Sequence, residues 1–367
     1  MANPRTNLVL PANAFARLTS RNLEELSIID KRNIYGMYPD TFANLSLLKL
    51  TISNTSIERL MPGVFRGLTV SELDLQNNLI YKLYPETFSG IRNLSSLNLM
   101  GNPLLVLKTD AFRGLSSLKE LQIGKSPASR YQPLQLEEGA FNDLTNLTKL
   151  DLSSLQLKPK GHLDFSPLFS LQELNLAQNN MTMSCNRETF DNLINLTMVD
   201  FSGNRFSDLS CIEALRFLPN LKQIKLVNIT IDRQISSLTA HTFEGFSSLE
   251  ELDLSQAHLT DINPQALSTM KKLRRISLGI GNNAIIPLDM LAPVADTLEQ
   301  VTFLLQGKNA TVAAPSVPFR TLARLRVIGH RQDTFCITLS MAGCEVFFGG
   351  IDSNCNQHGN RFCRSKM

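Results

Sequence analysis

The chain has 367 residues, of which 43% are hydrophobic and 19% are charged, and this apolar content excludes an intrinsically disordered chain. With 36 Lys and Arg against 33 Asp and Glu, the net charge of +3 gives no strong attraction to nucleic acid or to an anionic membrane. No uninterrupted apolar run approaches the ~20 residues of a membrane-spanning helix, so none is predicted.

A repeat of about 24 residues with the pattern Leu-x-x-Leu-x-Leu runs through most of the chain. Alternating leucines such as Leu97 and Leu99 are predicted to point inward from a short parallel strand, whereas Ser96 and Asn98 point outward. Because one such unit cannot bury its apolar side alone, the units are expected to stack into one solenoid. The thirteen repeat starts are Leu23, Leu47, Val70, Leu94, Leu118, Leu147, Leu171, Leu196, Leu221, Leu249, Leu273, Leu298 and Leu322.

The repeat pattern divides the chain into three parts. Residues 1–22 match only the second half of a repeat, from Asn13 to Leu18, so we expect an incomplete first repeat and a truncated N-terminus. A signal peptide could have been lost with the missing part. Residues 23–335 form the repeat array, and residues 336–367 form a Cys-rich flanking segment.

Two further positions recur in the repeats. The consensus Asn, present as Asn78, Asn102, Asn179 and Asn204, is predicted to bond backbone groups of the turns. A second apolar position, about 18 residues into each repeat, is predicted to form a buried column on the convex side. It is filled by Phe42, Phe65, Phe88, Phe112, Phe141, Phe165, Phe190 and Phe243, and elsewhere by Leu215, Leu267 and Leu291.

Two repeats are longer than the rest, at 29 and 28 residues. The first insertion carries Arg130 and Tyr131, residue types that are common at interface hot spots, and the second spans residues 231–238. Insertions in solenoids often lie on a binding face, so both are candidate contact loops. Tolerated surface loops are the alternative interpretation.

The six cysteines fall into two groups. Cys185 and Cys211 occupy similar positions in consecutive repeats, so stacking predicts a disulfide, with two buried free thiols as the alternative. Cys336, Cys344, Cys355 and Cys363 lie close together after the last repeat and allow three pairings. A zinc site with His358 is the alternative for this group, but no tight C-x2-C pair supports it, and we predict no metal.

Eight Asn-x-Ser/Thr sequons predict N-glycosylation and, with the paired cysteines, an extracellular location. The alternative is that Asn suits the turns in which these residues lie. The sequon asparagines are Asn44, Asn54, Asn93, Asn146, Asn180, Asn195, Asn228 and Asn309.

The concave face of the stacked strands is the predicted ligand-binding surface, with an ordinary solvated sheet face as the alternative. Its outward residues are polar, acidic in the middle of the array and more basic toward the C-terminus. The candidate ligand-binding residues there are Asp74, Asn98, Gln122, Asp151, Asn175, Asp200, Lys222, Lys225, Glu250, Asp253, Arg274 and Arg275.

The repeat is identified as a leucine-rich repeat, which implies an α/β solenoid in the shape of a horseshoe, with a parallel β-sheet on the concave face and about 13 repeats. Long arrays with sequons and occasional longer repeats are similar to Toll-like receptor ectodomains. That resemblance implies a non-catalytic extracellular receptor part that recognises protein or microbial ligands, often as a homodimer or heterodimer, without cofactors. The four terminal cysteines resemble the C-terminal caps of extracellular leucine-rich-repeat proteins.

Two other functions are compatible with this sequence. A secreted or matrix adhesion protein shares the repeat type and the sequons, and an intracellular scaffold would have free thiols and unmodified asparagines. An enzyme is not predicted, because the histidines are scattered over different repeats and no nucleophile elbow, phosphate-binding loop or H-E-x-x-H motif is present.

Overall fold

The computed structural model describes residues 7–18, 23–125, 132–159, 163–181, 185, 187–206, 209–231, 237–306, 311–313, 324–328 and 345–349. The chain divides into two compact units. The first consists of residues 1–180 and 187–196, and the second of residues 181–186 and 197–367. Parallel strands, most of them short, and a few short helices make up the described part of both units.

The described part of the first unit contains twelve strands and two 3-10 helices, at Ala16–Leu18 and Arg187–Thr189. The strands are β1 Leu8–Leu10, β2 Glu25–Ile29, β3 Ile34–Met37, β4 Ser46–Ser53, β5 Thr69–Asp74, β6 Ser96–Asn98, β7 Val106–Leu107, β8 Glu120–Gln122, β9 Gln135–Leu136, β10 Lys149–Asp151, β11 Lys158–Pro159 and β12 Glu173–Asn175. Strands β2, β4, β5, β6, β8, β10 and β12 form the main parallel sheet in that order. The small sheets β1–β3 and β7–β9–β11 run along the side of the coils.

In the second unit, one α-helix, α1 (Ser210–Glu213), is followed by a 3-10 helix at Ala214–Phe217, and a second 3-10 helix covers Leu288–Val294. The strands are β13 Met198–Asp200, β14 Arg205–Phe206, β15 Gln223–Lys225, β16 Thr230–Ile231, β17 Ser237–Leu238, β18 Glu251–Leu259, β19 Asp261–Ile262, β20 Arg275–Ile280, β21 Ile285–Pro287, β22 Gln300–Leu305, β23 Thr311–Ala313, β24 Arg324–Ile328 and β25 Glu345–Gly349. The main parallel sheet of this unit has the order β13, β15, β18, β20, β22, β24, β25, and β14–β16, β17–β19 and β21–β23 are lateral pairs.

The predicted leucine-rich-repeat solenoid is confirmed, and the expected count of about 13 repeats agrees approximately. Just after every predicted repeat start, the chain forms a strand of a main sheet, from β2 after Leu23 to β24 after Leu322. At the N-terminal end, β1 pairs in parallel with the lateral strand β3. Strand β25 lies inside the segment predicted to be Cys-rich and pairs in parallel with β24.

Inward leucines hold the coils together. Leu97 on β6 aligns with Leu73 on β5 and with Leu121 on β8, and each of these side chains is almost fully buried. The outward neighbours Ser96 and Asn98 are partly exposed, as the alternation of the repeat predicts. Burying such a leucine contributes about 1.5–3 kcal/mol relative to leaving it in water, so adjacent coils stabilise each other.

The predicted phenylalanine column is confirmed in the first unit. Phe15 begins a continuous stack that runs through Phe190, with ring centroids 5.3–6.3 Å apart and ring planes inclined by 3–25°. In the second unit, Phe243, Leu215, Leu267 and Leu291 are also buried, as predicted. Within the stack, each ring from Phe42 to Phe165 therefore packs against the rings of the coils on both sides, which links these coils on the side away from the main sheet.

The four consensus asparagines are buried and bond the backbone of the turns, as predicted. The Asn102 side chain donates to the carbonyls of Leu75 and Leu99, both at 2.9 Å, and accepts from the amide of Ile80 at 3.1 Å. Asn78, Asn179 and Asn204 bond neighbouring turns in a similar way. One side chain thus satisfies backbone groups that stacking removes from water.

The substitution Asn102→Ala should destabilise the chain by about 3 kcal/mol, because a buried amide and two buried carbonyls lose their partner. The control Asn98→Ala removes a partly exposed side chain and should cost about 1 kcal/mol or less. Urea unfolding followed by circular dichroism measures both free energies. Equal losses for the two variants would contradict the structural role of the buried asparagine.

Candidate ligand-binding face

The outward residues of the main-sheet strands form the face on which most of the predicted ligand-binding residues lie. In the first unit, Asp74, Asn98 and Gln122 align across β5, β6 and β8. In the second unit, Asp200, Lys225 and Asp253 align across β13, β15 and β18 in the same manner. All six side chains are partly exposed, so the strands bring them to one surface within each unit.

Six of the predicted ligand-binding residues have a structural role that the sequence pattern did not reveal. In each case the side-chain Oδ1 accepts a hydrogen bond from the backbone amide two residues later, at 2.8–3.0 Å. The residues are Asp74, Asn98, Asp151, Asn175, Asp200 and Asp253. This bond fixes the turn that follows the strand and occupies one of the two polar atoms of each side chain.

In the first unit, several outward charges are already paired. Lys49 lies 3.3 Å from Glu72, and Lys149 lies 3.2 Å from Glu173, each pair joining two adjacent strands. The Asn175 amide donates to the second oxygen of Asp151 at 3.1 Å. Exposed pairs of this kind contribute only about 0–1 kcal/mol each to stability, so they order the surface more than they hold the fold.

In the second unit, four predicted ligand-binding residues belong to ion pairs along the sheet. Lys222 and Arg274 both contact Glu250, at 3.3 Å and 3.9 Å, and Arg274 also contacts Glu299 at 3.1 Å. In the neighbouring column, the Glu251 carboxylate pairs with Arg275 and accepts from the Gln223 amide. Much of the charge predicted for this part of the ligand-binding surface is therefore neutralised within the chain.

Lys225 is the exception among these cations. It lies between Asp200 and Asp253 in the strand register and is partly exposed, but it has no ion pair with any residue that the structure describes. Adjacent strands are about 4.8 Å apart, so three alternating charges span about 10 Å of the sheet. We call Asp200, Lys225 and Asp253 the charged row.

Several of the sequence predictions concern residues outside the described ranges. Arg130 and Tyr131, most of both insertions, the four C-terminal cysteines and Asn309 lie outside the described residues. Within the described ranges, no group of three or more His, Cys, Asp or Glu side chains is arranged to hold a metal ion. No helix in these ranges is long and apolar enough to cross a membrane.

Cys185 and Cys211 form a disulfide in the structure, with their Cα atoms 4.5 Å apart. Both belong to the second unit, and Cys211 lies in α1, where it is buried. The amide of Cys185 also donates to the Ser210 hydroxyl at 3.0 Å. The bond therefore joins consecutive coils, as their similar positions in consecutive repeats predict.

The seven described sequon asparagines are all exposed. Asn44, Asn54, Asn93, Asn180 and Asn228 have left-handed backbone angles, with φ between 50° and 64°, which Asn tolerates better than most residues. The turn geometry therefore explains why Asn stands at these five positions, but it does not explain the Ser or Thr two residues later. Asn54 and Asn228 lie in turns just after strands β4 and β15 instead of on the strands.

Asn146 and Asn195 differ from the other sequon residues. Their side-chain amides donate to the carbonyls of Ser116 and Phe169 in the preceding coil, both at 2.8 Å. The nitrogen that would carry the sugar is thus bonded within the folded chain.

Lys125 is a buried cation that the sequence analysis missed. Its side chain donates to the carbonyls of Leu104 and Gln132, at 3.3 Å and 3.1 Å, and the residue is only 4% exposed. Burial lowers the pKa of the Lys125 amine from 10.5 to about 8. Lys125 lies three residues after the end of strand β8, and this position gives no sequence signal that its amine is buried.

Family models match much of the array. The leucine rich repeat model covers residues 49–104, 69–127 and 223–283, and the BspA type leucine rich repeat region covers residues 132–225. Among curated proteins, CD180 antigen of Mus musculus is 26% identical over 236 residues, which is 59% of this chain and 34% of that protein. Toll-like receptor 4 of Gorilla gorilla gorilla is 32% identical over 136 residues, which is 35% of this chain and 15% of that protein.

Among solved structures, the Toll–Spätzle complex of Drosophila aligns with a TM-score of 0.56 at 20% identity, over 89% of this chain and 52% of that chain. This likeness concerns the fold. The chain thus spans about a third or less of the two curated proteins described above and about half of the solved one.

The buried amine of Lys125 predicts a specific dependence of stability on pH. Between pH 8 and 10.5 the folded state holds the amine neutral while the unfolded state holds it charged, so unfolding takes up a proton and a rise in pH stabilises the fold. The quantity to follow is the free energy of unfolding of the unmodified chain minus that of Lys125→Met. Between pH 8 and 10.5 this difference should rise by about 1.4 kcal/mol per pH unit, or roughly 3 kcal/mol in all. Denaturant titrations from pH 7 to 11 measure this difference, and a difference that is constant over that range would contradict the lowered pKa.

Proposed function

Because the chain is a leucine-rich-repeat protein similar to Toll-like receptor ectodomains, we propose that it is the extracellular, ligand-recognising part of an innate-immune receptor. Recognition would take place on the main-sheet face without catalysis. The observation that carries this proposal is the charged row, in which Lys225 has no ion pair with any described residue while the neighbouring cations are paired within the chain.

The charged row suits recognition because its geometry is set before a ligand arrives. Asp200 and Asp253 each have one oxygen held by a turn amide, so their orientation costs little entropy on binding. Lys225 lies between them on the central strand β15. Such an alternating row would select a polar partner by charge pattern, which favours a protein or a microbial molecule with both charges.

An extracellular location is supported by two independent features. The Cys185–Cys211 bond belongs to oxidising compartments, and seven of the eight sequon asparagines are exposed in the described structure. The Toll structure named above is a complex with Spätzle and is described as a hub in innate immunity, so a protein ligand is the first class to test.

Peptide mapping of native material without reduction tests the location. We expect one peptide pair linked through Cys185 and Cys211, and sugars on several of Asn44, Asn54, Asn93, Asn180 and Asn228. Asn146 and Asn195 should be modified less completely, because the fold uses their amide nitrogens. Free thiols together with eight bare sequons would exclude the extracellular proposal.

Charge reversal of the row tests recognition. Biolayer interferometry measures binding to three purified microbial preparations: lipoglycan, protein and RNA. We expect at least one of them to bind. Lys225→Glu should lower the affinity for that preparation by about tenfold or more, equivalent to ~1.4 kcal/mol. The matched control is Lys272→Glu, since Lys272 is an exposed lysine just before β20 and outside the row. The proposal fails if none of the three preparations binds, or if Lys225→Glu and Lys272→Glu have the same affinity for the preparation that binds.

A further inference from the structure

Four consecutive repeats share the same turn at their start, and all four turns lie in the first unit. In each turn, the amide of the repeat-start leucine donates to the carbonyl three residues earlier, at 2.9–3.0 Å. We call these four-residue segments the start turns; they span residues 115–118, 144–147, 168–171 and 193–196. Because equal positions in consecutive coils become neighbours, the second and third residues of the start turns follow one another from coil to coil.

Two sequon asparagines occupy the third position of a start turn. The side-chain amide of Asn146 donates to the Ser116 carbonyl, and that of Asn195 donates to the Phe169 carbonyl, both at 2.8 Å. In both cases the acceptor is the second residue of the preceding start turn. A sugar on either nitrogen therefore begins at the same place relative to its coils.

The second position of the start turns distinguishes the two sites. Beside one sequon it is polar, with Ser116 and Thr145. Beside Asn195 it is apolar, since Phe169 is 48% exposed and Ile194 is 53% exposed. The leucines at the first and last positions of these turns are buried instead, so the core does not need the two exposed side chains.

The hydrogen bond of Asn195 is compatible with a sugar on the same nitrogen. A side-chain amide has two N–H groups, and N-glycosylation replaces one of them. Folding competes with attachment, which is why we expect incomplete modification here, but a sugar attached before folding leaves the bond to Phe169 in place. The bond then holds that sugar beside Phe169.

The chemistry of the first sugar suits this apolar surface. In N-acetylglucosamine, C–H groups line the sides of the ring and can pack on the electron-rich face of an aromatic ring. Phe169 supplies such a ring, and Ile194, directly before the attachment point, supplies an apolar contact for the ring or its acetyl methyl group. Covering both side chains removes apolar area from water, which is favourable.

We infer that Phe169 and Ile194 bind the first sugar of an N-glycan on Asn195. This sugar is a packed part of the fold, whereas a sugar on Asn146 extends into solvent. The inference rests on the glycosylation that belongs to the proposed function. It adds a carbohydrate-binding surface whose occupant is carried by the chain itself.

Site-resolved deglycosylation of the chain, produced in a secretory eukaryotic host, tests the inference. Peptide-N-glycosidase must reach the bond between sugar and asparagine, so it releases a packed sugar slowly. For each site, mass spectrometry gives the release rate from the native chain divided by that from the denatured chain. Among the molecules that carry a sugar there, this ratio should be about fivefold lower at Asn195 than at Asn146, equivalent to ~1 kcal/mol.

Two reciprocal variants exchange the surfaces of the two sites. Phe169→Ser should raise the ratio at Asn195 to that of Asn146, and Ser116→Phe should lower the ratio at Asn146. Both substituted side chains are exposed, and the carbonyls that bond the asparagines belong to the backbone and are retained. Circular dichroism must show that both variants keep the fold of the unmodified chain.

The outcomes separate this inference from the proposed function. Equal ratios at the two sites, or a ratio at Asn195 that Phe169→Ser leaves unchanged, would overturn the inference. A chain with sugars on other sequons but none on Asn195 would also overturn it, while the proposed extracellular location would stand. If all eight sequons are bare, the location and the inference fail together.

Discussion

Burial of apolar side chains between consecutive coils is the interaction on which the rest of this structure depends. A single repeat has two apolar sides and one short strand, so it cannot exclude water alone. Stacking solves this for the leucines of the sheet, such as Leu97 between Leu73 and Leu121, and for the phenylalanine column behind them. It also buries backbone groups in every turn, which is why side chains such as Asn102 must bond them.

The same stacking decides which residues remain free to bind a partner. Every coil must turn sharply after its strand, and the turn uses one oxygen of an outward Asp or Asn in six coils. Stacking also brings Lys222, Glu250, Arg274 and Glu299 close enough to pair. A polar sheet face is thus in large part a consequence of building the solenoid, and charge alone does not identify a binding residue. The distinction between cations that are paired and those that have no ion pair with a described residue is more informative, and it is the reason why the proposed recognition centres on Lys225.

Features that repeat with the period of the chain could be predicted from sequence. The repeat starts, the phenylalanine column, the consensus asparagines and the Cys185–Cys211 pair follow from one rule, that equal positions in consecutive repeats become neighbours. Features that depend on side-chain direction could not be predicted in this way. The burial of the Lys125 amine and the position of Arg59 over Tyr81, 22 residues away, depend on rotamers and local backbone angles that the pattern does not encode.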